Sequence, residues 1–425
     1  MSESLHPVRY SSLGERASEP VITGLMYRAL ENAELLSLAA GFTDNVTLPV
    51  GLVKDAVISL EKASPDGSYL QYGTNRGRTG LLNAVVARLN EDPGEALKTE
   101  LTAEAAFITN GSQQALYLAM QTLCDPGDVI LVQQPTYFVF LELCRGLGIE
   151  VVSLPMNAEA ELDLAALPDF FLKLKRRYGR DRIKAAYLNS YFCNPSSRSM
   201  SVEEKRAFGH ALLENALAIP VLEDAAYREL WFDLPWPAPS IFSLPEYASL
   251  PCLYLGTFTK PFATGLKVGY GVCSDPSWLG KMLALKGHQD FGTSHFNQAI
   301  IEHVLATGAY EPHLEKLREH YRAKAKVMGD TLEASPLREL GWHWERPGGG
   351  LYYWMQAPEG IDLSTGEAFC EACLERGVLY VPGNLCVAEG KPCNFARLSF
   401  GALPQGQLAE AISRFIAVVA GFDQA

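Results

Sequence analysis

The sequence predicts an α/β protein: a large domain built on a mostly parallel central sheet, joined to a smaller α+β domain. Three observations lead there. Short apolar runs rich in branched residues recur from Val129 to Cys273, mostly separated by stretches long enough for helices, as in a parallel sheet covered on both faces. Gly111 and Ser112 stand where a strand-like run passes into a helical one. Beyond residue 290 the periodicity favours longer helices, interrupted by a glycine turn into an aromatic strand. The 425 residues are enough for two or three units of ordinary size. The expected division is an arm at 1–45 that contributes to the smaller domain, a large domain at 46–290, and a C-terminal small domain at 291–425.

Taken in order, the first hundred residues mix short helical stretches with turns, and the apolar run that begins at Leu35 breaks at Gly41. Ala106 to Asn110 reads as a strand and Ser112 to Leu123 as a helix. Strands follow at Val129 to Val132, Glu150 to Leu154, Ala185 to Leu188, Ile219 to Leu222, Leu253 to Leu255 and Val268 to Cys273, with helices over Glu159 to Tyr178 and Val202 to Leu217. Helices are expected at Asn297 to Leu305, Leu314 to Leu332 and Thr365 to Gly377. GGGLYYWMQA and Cys393 to Gly401 read as strands, before a last amphipathic helix ending near Phe422.

Charge and cysteine usage narrow the classes of function. Lys plus Arg at 36 against Asp plus Glu at 49 gives a net charge of -13, which repels phosphate backbones and anionic lipid, so neither a nucleic-acid nor a membrane partner is expected. The most basic stretch, Lys173 to Arg182, reads as the solvated end of a helix. The N-terminus has no apolar signal-peptide core and no run reaches the length of a membrane span, so a cytoplasmic protein is expected. Nine scattered cysteines fit a reducing compartment. Cys370 and Cys373 have metal-like spacing but fall in a helical segment, where core thiols are the simpler reading; His288, His295 and His303 match no metal pattern.

Chemistry-bearing residues fall near the ends of predicted strands, where an open α/β sheet presents its ligand site. Taken singly, Asn194 in YFCNPSS, Asp224 and Tyr227 in LEDAAYREL, and Lys260 in LGTFTKPFATGLKVGYG read as caps or turns. Together they suit one task. A lysine that forms a Schiff base needs a lowered pKa and a fixed approach. A carboxylate such as Asp224 keeps an aromatic nitrogen protonated, so that the ring can accept electrons. Tyr227 and Asn194 suit the ring's hydroxyl, and the ring of Tyr137 can lie over the heterocycle. Backbone N–H groups at Gly111 and Ser112, the hydroxyls of Thr257 and Thr259, and the cation Lys267 suit a phosphate. These are the parts of a pyridoxal 5'-phosphate site.

In that order and context the chain resembles the fold type I pyridoxal-phosphate enzymes, specifically the class I/II aminotransferases, whose lysine motif resembles TFTK followed by GLKVGY here. The resemblance spans nearly the whole length. It implies that the Gly41 backbone approaches the substrate carboxylate and that Tyr72 in LQYGTNRG reaches the neighbouring subunit's phosphate in a homodimer. It also implies that Gly111, Ser112 and Gln113 form the phosphate turn, that Tyr137 stacks on the ring, and that Arg397 in NFARLSFG grips the substrate α-carboxylate. The implied reaction moves an amino group from an L-amino acid to a 2-oxo acid, with Lys260 as Schiff-base lysine and proton carrier and with no metal. The alternative is a lyase or cyclase resembling the aminocyclopropane-carboxylate synthases, or an oxidative enzyme on the same scaffold. Lys267 departs from the family's arginine, and Thr257 and Thr259 from its serines. Arg76 and Arg78 fit either an acidic substrate side chain or solvent, and His295 either the partner's phosphate region or a structural hydrogen bond.

Overall fold

A computed structural model describes residues 8–19, 21, 24, 27, 34–39, 41–91, 100–157, 159–391 and 393–422. The expected arm at 1–45 lies partly outside them. The strands are β1 (Leu36–Ser37), β2 (Ala106–Asn110), β3 (Val129–Val132), β4 (Glu150–Ser153), β5 (Ile183–Asn189) and β6 (Val221–Asp224), then β7 (Cys252–Thr257), β8 (Val268–Cys273), β9 (Tyr352–Gln356), β10 (Val378–Leu379), β11 (Val381–Pro382) and β12 (Phe395–Ser399).

Seven strands make the main sheet in the order β2-β8-β7-β6-β5-β3-β4. β8 runs antiparallel to both neighbours, whereas β7, β6, β5, β3 and β4 pair in parallel. Alternation along each strand sends side chains to two cores. Ile130 and Val132 pack with helices Gly111–Leu123, Phe138–Leu147 and Pro276–Gln289 on one face. Leu131 packs with helices Leu167–Tyr178 and Val202–Glu214 on the other. Both faces are thus dry, which explains why these strands read as unbroken apolar runs.

Two boundaries differ from expectation for local reasons. The helix expected from Glu159 starts at Leu167, where Pro168 occupies the first turn, because Asp163 Oδ1 accepts the Ala165 and Ala166 N–H groups and holds a turn instead. The strand expected at Ile219 to Leu222 is shifted toward the C-terminus by its parallel register, Ala186 with Val221 and Asn189 with Asp224. Pro220, which has no N–H to offer a ladder, is left just outside. Asp224 is therefore the last residue of β6, not a loop residue after it.

A second, antiparallel sheet, β11-β12-β9, pairs Arg397 with Trp354 and Ser399 with Tyr352. Helices Tyr310–Glu333 and Gln405–Phe422 pack in the same apolar core as this sheet, with Trp342, Phe369 and Phe415 among its largest members. Cys370 and Cys373 are buried there in helix Ala368–Glu375. The loop that follows β1 is fastened to this region: Lys324 Nζ donates to Asp44 Oδ2 at 2.8 Å and to Gly401 O at 2.8 Å, while Asp44 N donates to the Tyr321 hydroxyl at 3.1 Å. Among the described residues no helix is long and apolar enough to cross a membrane.

Beneath β6 lies a fully buried ion pair. Lys205 Nζ donates to Glu223 Oε1 at 2.8 Å, to the Tyr191 hydroxyl at 3.0 Å and to Pro239 O at 2.8 Å; Glu223 Oε2 accepts from Ser240 and from Ile241 N. Removing one member strands the other charge in a dry layer. Lys205→Met is expected to destabilise the fold by about 3–5 kcal/mol in urea unfolding, and a loss below about 1 kcal/mol would show that solvent already compensates Glu223.

Candidate active site

At the edge of the main sheet where β2, β6 and β7 end and β8 begins, registers place Asn189 beside Asp224, Asp224 beside Leu255, and Thr257 beside Gly269. Lys260 stands on the turn that leaves β7. Phe258 and Phe262 are buried on either side of it, Phe262 N donates to Phe258 O at 3.1 Å, and Thr257 Oγ1 accepts the Thr259 N–H at 3.0 Å while donating to Val268 O. With its flanks anchored, the half-buried lysine has a set direction, and Nζ donates to Gly41 O at 2.5 Å. Burial, then the like charges of Lys267 and Arg397, pull its pKa down to about 8.

Asp224 is buried, and both oxygens are engaged: Oδ2 accepts the Tyr187 hydroxyl at 2.7 Å and Oδ1 accepts the Ala226 N–H at 3.0 Å. Burial raises its pKa although those two donors oppose the shift. A cationic N–H arriving at this carboxylate would therefore meet a group that lacks a counter-charge. Tyr137 precedes helix Phe138–Leu147, and its hydroxyl is pushed to higher pKa by burial and then by the charges of Asp224 and Tyr352. The Tyr227 hydroxyl is 2.7 Å from that of Tyr352.

Arg397 is 1% exposed, and its Nη1 donates to Asn194 Oδ1 at 2.7 Å while Nη2 donates to Ala39 O at 2.6 Å. Its guanidinium lies 4.3 Å from the Tyr352 ring centroid and 5.4 Å from that of Phe138, and Nε is buried without a partner among the described residues. A guanidinium with one unmet buried donor suits an anion.

The phosphate candidates gather at the start of helix Gly111–Leu123. Gly111 has φ of +66°, open to glycine at no steric cost, and a Cβ on Gly269 would lie 2.5 Å from Ser112 N, so the missing side chain lets β8 pass close to the helix N-terminus. Thr259 Oγ1 and Gln113 Oε1 are buried and unpartnered among the described residues. Lys267, exposed and with φ of +56°, follows from the far side of the turn. A helix N-terminus, an idle hydroxyl and a lysine fit a phosphate, and the Thr259 hydroxyl would otherwise be costly to leave unmet. The donor set as a whole fits pyridoxal phosphate.

Tyr72 is 81% exposed and meets Phe291, itself 71% exposed, edge-on at 6.1 Å, so it stays at the surface of this chain. Arg76 donates to the carbonyls of Glu104 and Ala106. Arg78 forms a two-pronged bond with Glu302, at 2.9 and 3.1 Å, and donates to His295 Nε2 at 2.7 Å. Arg76 and Arg78 therefore tie the NRGRTG loop to its own chain, with His295 as one of their partners. Sequence reasoning missed Tyr187 and Tyr352. Tyr187 could have been found, since it lies two residues before Asn189, the register partner of Asp224, and so on the same face. Tyr352 carried no local signal.

Residues 34–415 match the aminotransferase class I and II family. The chain belongs to that family. It is 30% identical over 404 residues to an aromatic-amino-acid aminotransferase of Thermococcus litoralis, covering 95% of this chain and 91% of that one. It is 31% identical over 381 residues to a 2-aminoadipate transaminase of Thermus thermophilus, covering 89% of each. The fold superposes with a TM-score of 0.82, at 28% identity and 97% coverage of both chains, on an alpha-aminoadipate aminotransferase from Thermus thermophilus complexed with N-(5'-phosphopyridoxyl)-L-leucine. This aminotransferase is accordingly a fold type I enzyme that uses pyridoxal phosphate to move an amino group from an L-amino acid to a 2-oxo acid.

Because only a neutral amine attacks an aldehyde, the rate at which cofactor-free aminotransferase reacts with pyridoxal phosphate will rise with pH around a midpoint of about 8. Stopped-flow absorbance against a Lys260→Ala control measures it. A rate still rising steeply above about pH 9.5 would mean an ordinary lysine.

Proposed function

We propose that Lys260 carries the cofactor and is also the base of the transamination site. The observation that carries this reading is an amine with depressed pKa, attended by two cations, in the pocket that holds Asp224, Tyr227 and Arg397. Bound there, pyridoxal phosphate supplies an aromatic ring that draws off the electron pair left when an amino acid loses its α-proton. The Lys260 amine would take that α-proton and return it to the cofactor carbon that carries the amino nitrogen, a task suited to a pKa near neutrality. Asp224, steadied by Tyr187 and Ala226, holds the proton on the ring nitrogen. Tyr227 and Asn194 face the ring oxygen, and Tyr137 lies over the ring. Gly111, Ser112, Gln113, Thr257, Thr259 and Lys267 surround the phosphate, with Thr257 acting mainly through the turn that its hydroxyl orders. Arg397, Asn194 and the Gly41 backbone orient the substrate α-carboxylate.

In this reading Tyr72 serves the neighbouring site of a homodimer. The exposed apolar side chains Leu70, Tyr72 and Phe291 support it, since such groups favour burial against another chain. Residues 46–290 make the large cofactor-binding domain, and 291–425 with the arm at 1–45 the smaller one. The setting is cytoplasmic, in keeping with nine free thiols. The side chain of the preferred amino acid is uncharged, because Arg76 and Arg78 are already spent on carbonyls, Glu302 and His295.

Lys260→Ala will lose the visible absorbance of the linked cofactor and nearly all turnover; retention of both would sink the site. Arg397→Lys, which keeps the charge and loses the fork, will lower kcat/KM for the amino acid about 10- to 100-fold. Across a panel of donors, phenylalanine or leucine will exceed aspartate in kcat/KM by about tenfold or more, and the reverse order would overturn the uncharged-substrate proposal.

A further inference from the structure

We infer that Tyr352 is a positioning residue of this site, joining the Tyr227 hydroxyl to the Arg397 guanidinium; the inference rests on the roles proposed above for those two residues. Tyr352 lies on β9, 1% exposed, and three contacts meet on it. Its hydroxyl is 2.7 Å from Tyr227, with the two rings edge-on at 74°. Its ring face lies 4.3 Å from the Arg397 guanidinium. The same hydroxyl borders the loop that accepts Lys260, since a Cβ placed on Gly41 would sit 3.4 Å from it.

The direction of the phenol pair follows from counting hydrogens. Each phenol has one. If Tyr227 spends its hydrogen on the cofactor's ring oxygen, only Tyr352 can supply the hydrogen for the 2.7 Å contact between them. Tyr352 then donates to Tyr227, and a hydroxyl that accepts a hydrogen bond becomes a stronger donor in turn. The strength with which Tyr227 holds the ring oxygen's negative charge is thus set partly from the second row.

The backbone of Tyr352 is held independently of this chain of hydroxyls. Ser197 Oγ donates to Tyr352 O at 2.8 Å, and the strand ladder pairs Tyr352 with Ser399, two residues from Arg397 on β12. Ring and hydroxyl can therefore be separated by substitution: Tyr352→Phe keeps the face over Arg397 and removes the donor, whereas Tyr352→Leu removes both.

The test follows the visible absorbance of the cofactor bound at Lys260 as a function of pH. Weaker donation from Tyr227 leaves more charge on the ring oxygen to hold the neighbouring imine proton, so Tyr352→Phe will move the midpoint up by about half to one pH unit. In a Tyr227→Phe background the same change will add less than about 0.2 unit, because the route runs through Tyr227. Tyr352→Leu will raise the amino-acid KM about threefold or more beyond Tyr352→Phe, reading the lost cation–π face. An unmoved midpoint in Tyr352→Phe with the cofactor normally attached, or an equal shift in both backgrounds, would reduce Tyr352 to a core tyrosine. A parent protein whose absorbance does not titrate at all would instead overturn the roles proposed for Tyr227 and Lys260, and this inference with them.

Discussion

An ammonium group buried beside other cations is unstable, and the surroundings of Lys260 are built on that fact. Lys267 and Arg397 crowd it with like charge, its one described acceptor is the neutral Gly41 carbonyl, and the result is an amine with a pKa of about 8. The buried aromatic flanks, Phe258 and Phe262, anchor the turn that carries the lysine. The carboxylate in the same pocket, Asp224, is spent on the Tyr187 hydroxyl and a backbone N–H, not on the lysine. Separation of the lysine from the acid leaves both groups unsatisfied as ions, a condition that a cofactor with an aldehyde at one end and a basic nitrogen at the other would relieve.

The sheet makes this separation possible. Glu223 and Asp224 are adjacent in sequence, yet strand alternation sends them to opposite faces. Glu223 meets Lys205 in the layer beneath and is held below the ordinary carboxylate range: burial pushes it up, but the lysine outweighs that. Asp224 faces the other way, meets no cation among the described residues, and is pushed above the ordinary carboxylate value by burial. Two neighbouring carboxylates thus become a structural anion and a chemical one through a single step of the strand.

Much of this was legible in the sequence. Short branched runs gave away the sheet because both of its faces are dry, and Val129–Val132 and Val268–Cys273 fall where the pattern places them. Asn194, Asp224, Tyr227, Lys260 and Arg397 stood out because their chemistry is specific and their order is coherent. What could not be read was direction and partnership. No local pattern says that β8 runs against its neighbours, although that reversal is what carries Lys267 and Gly269 back to the Gly111 turn. Nor does the sequence show that Arg78 is claimed by Glu302 some two hundred residues away, or that Tyr352 lies against both Tyr227 and Arg397. Those contacts are set by how distant elements pack, and short-range propensity carries no record of them.

The short segment after β1 touches both reactive ends of the pocket. Ala39 O accepts from Arg397 and Gly41 O accepts from Lys260, while three residues later Asp44 is clasped by Lys324 and lies 3.1 Å from His320 Nε2. An incoming carboxylate would compete with the Ala39 carbonyl for the guanidinium, and a bond formed at Lys260 would take up the amine that now donates to the Gly41 carbonyl. The carbonyls of Ala39 and Gly41 thus hold two cations of the site at once, and the clasp on Asp44 anchors the chain just beyond them.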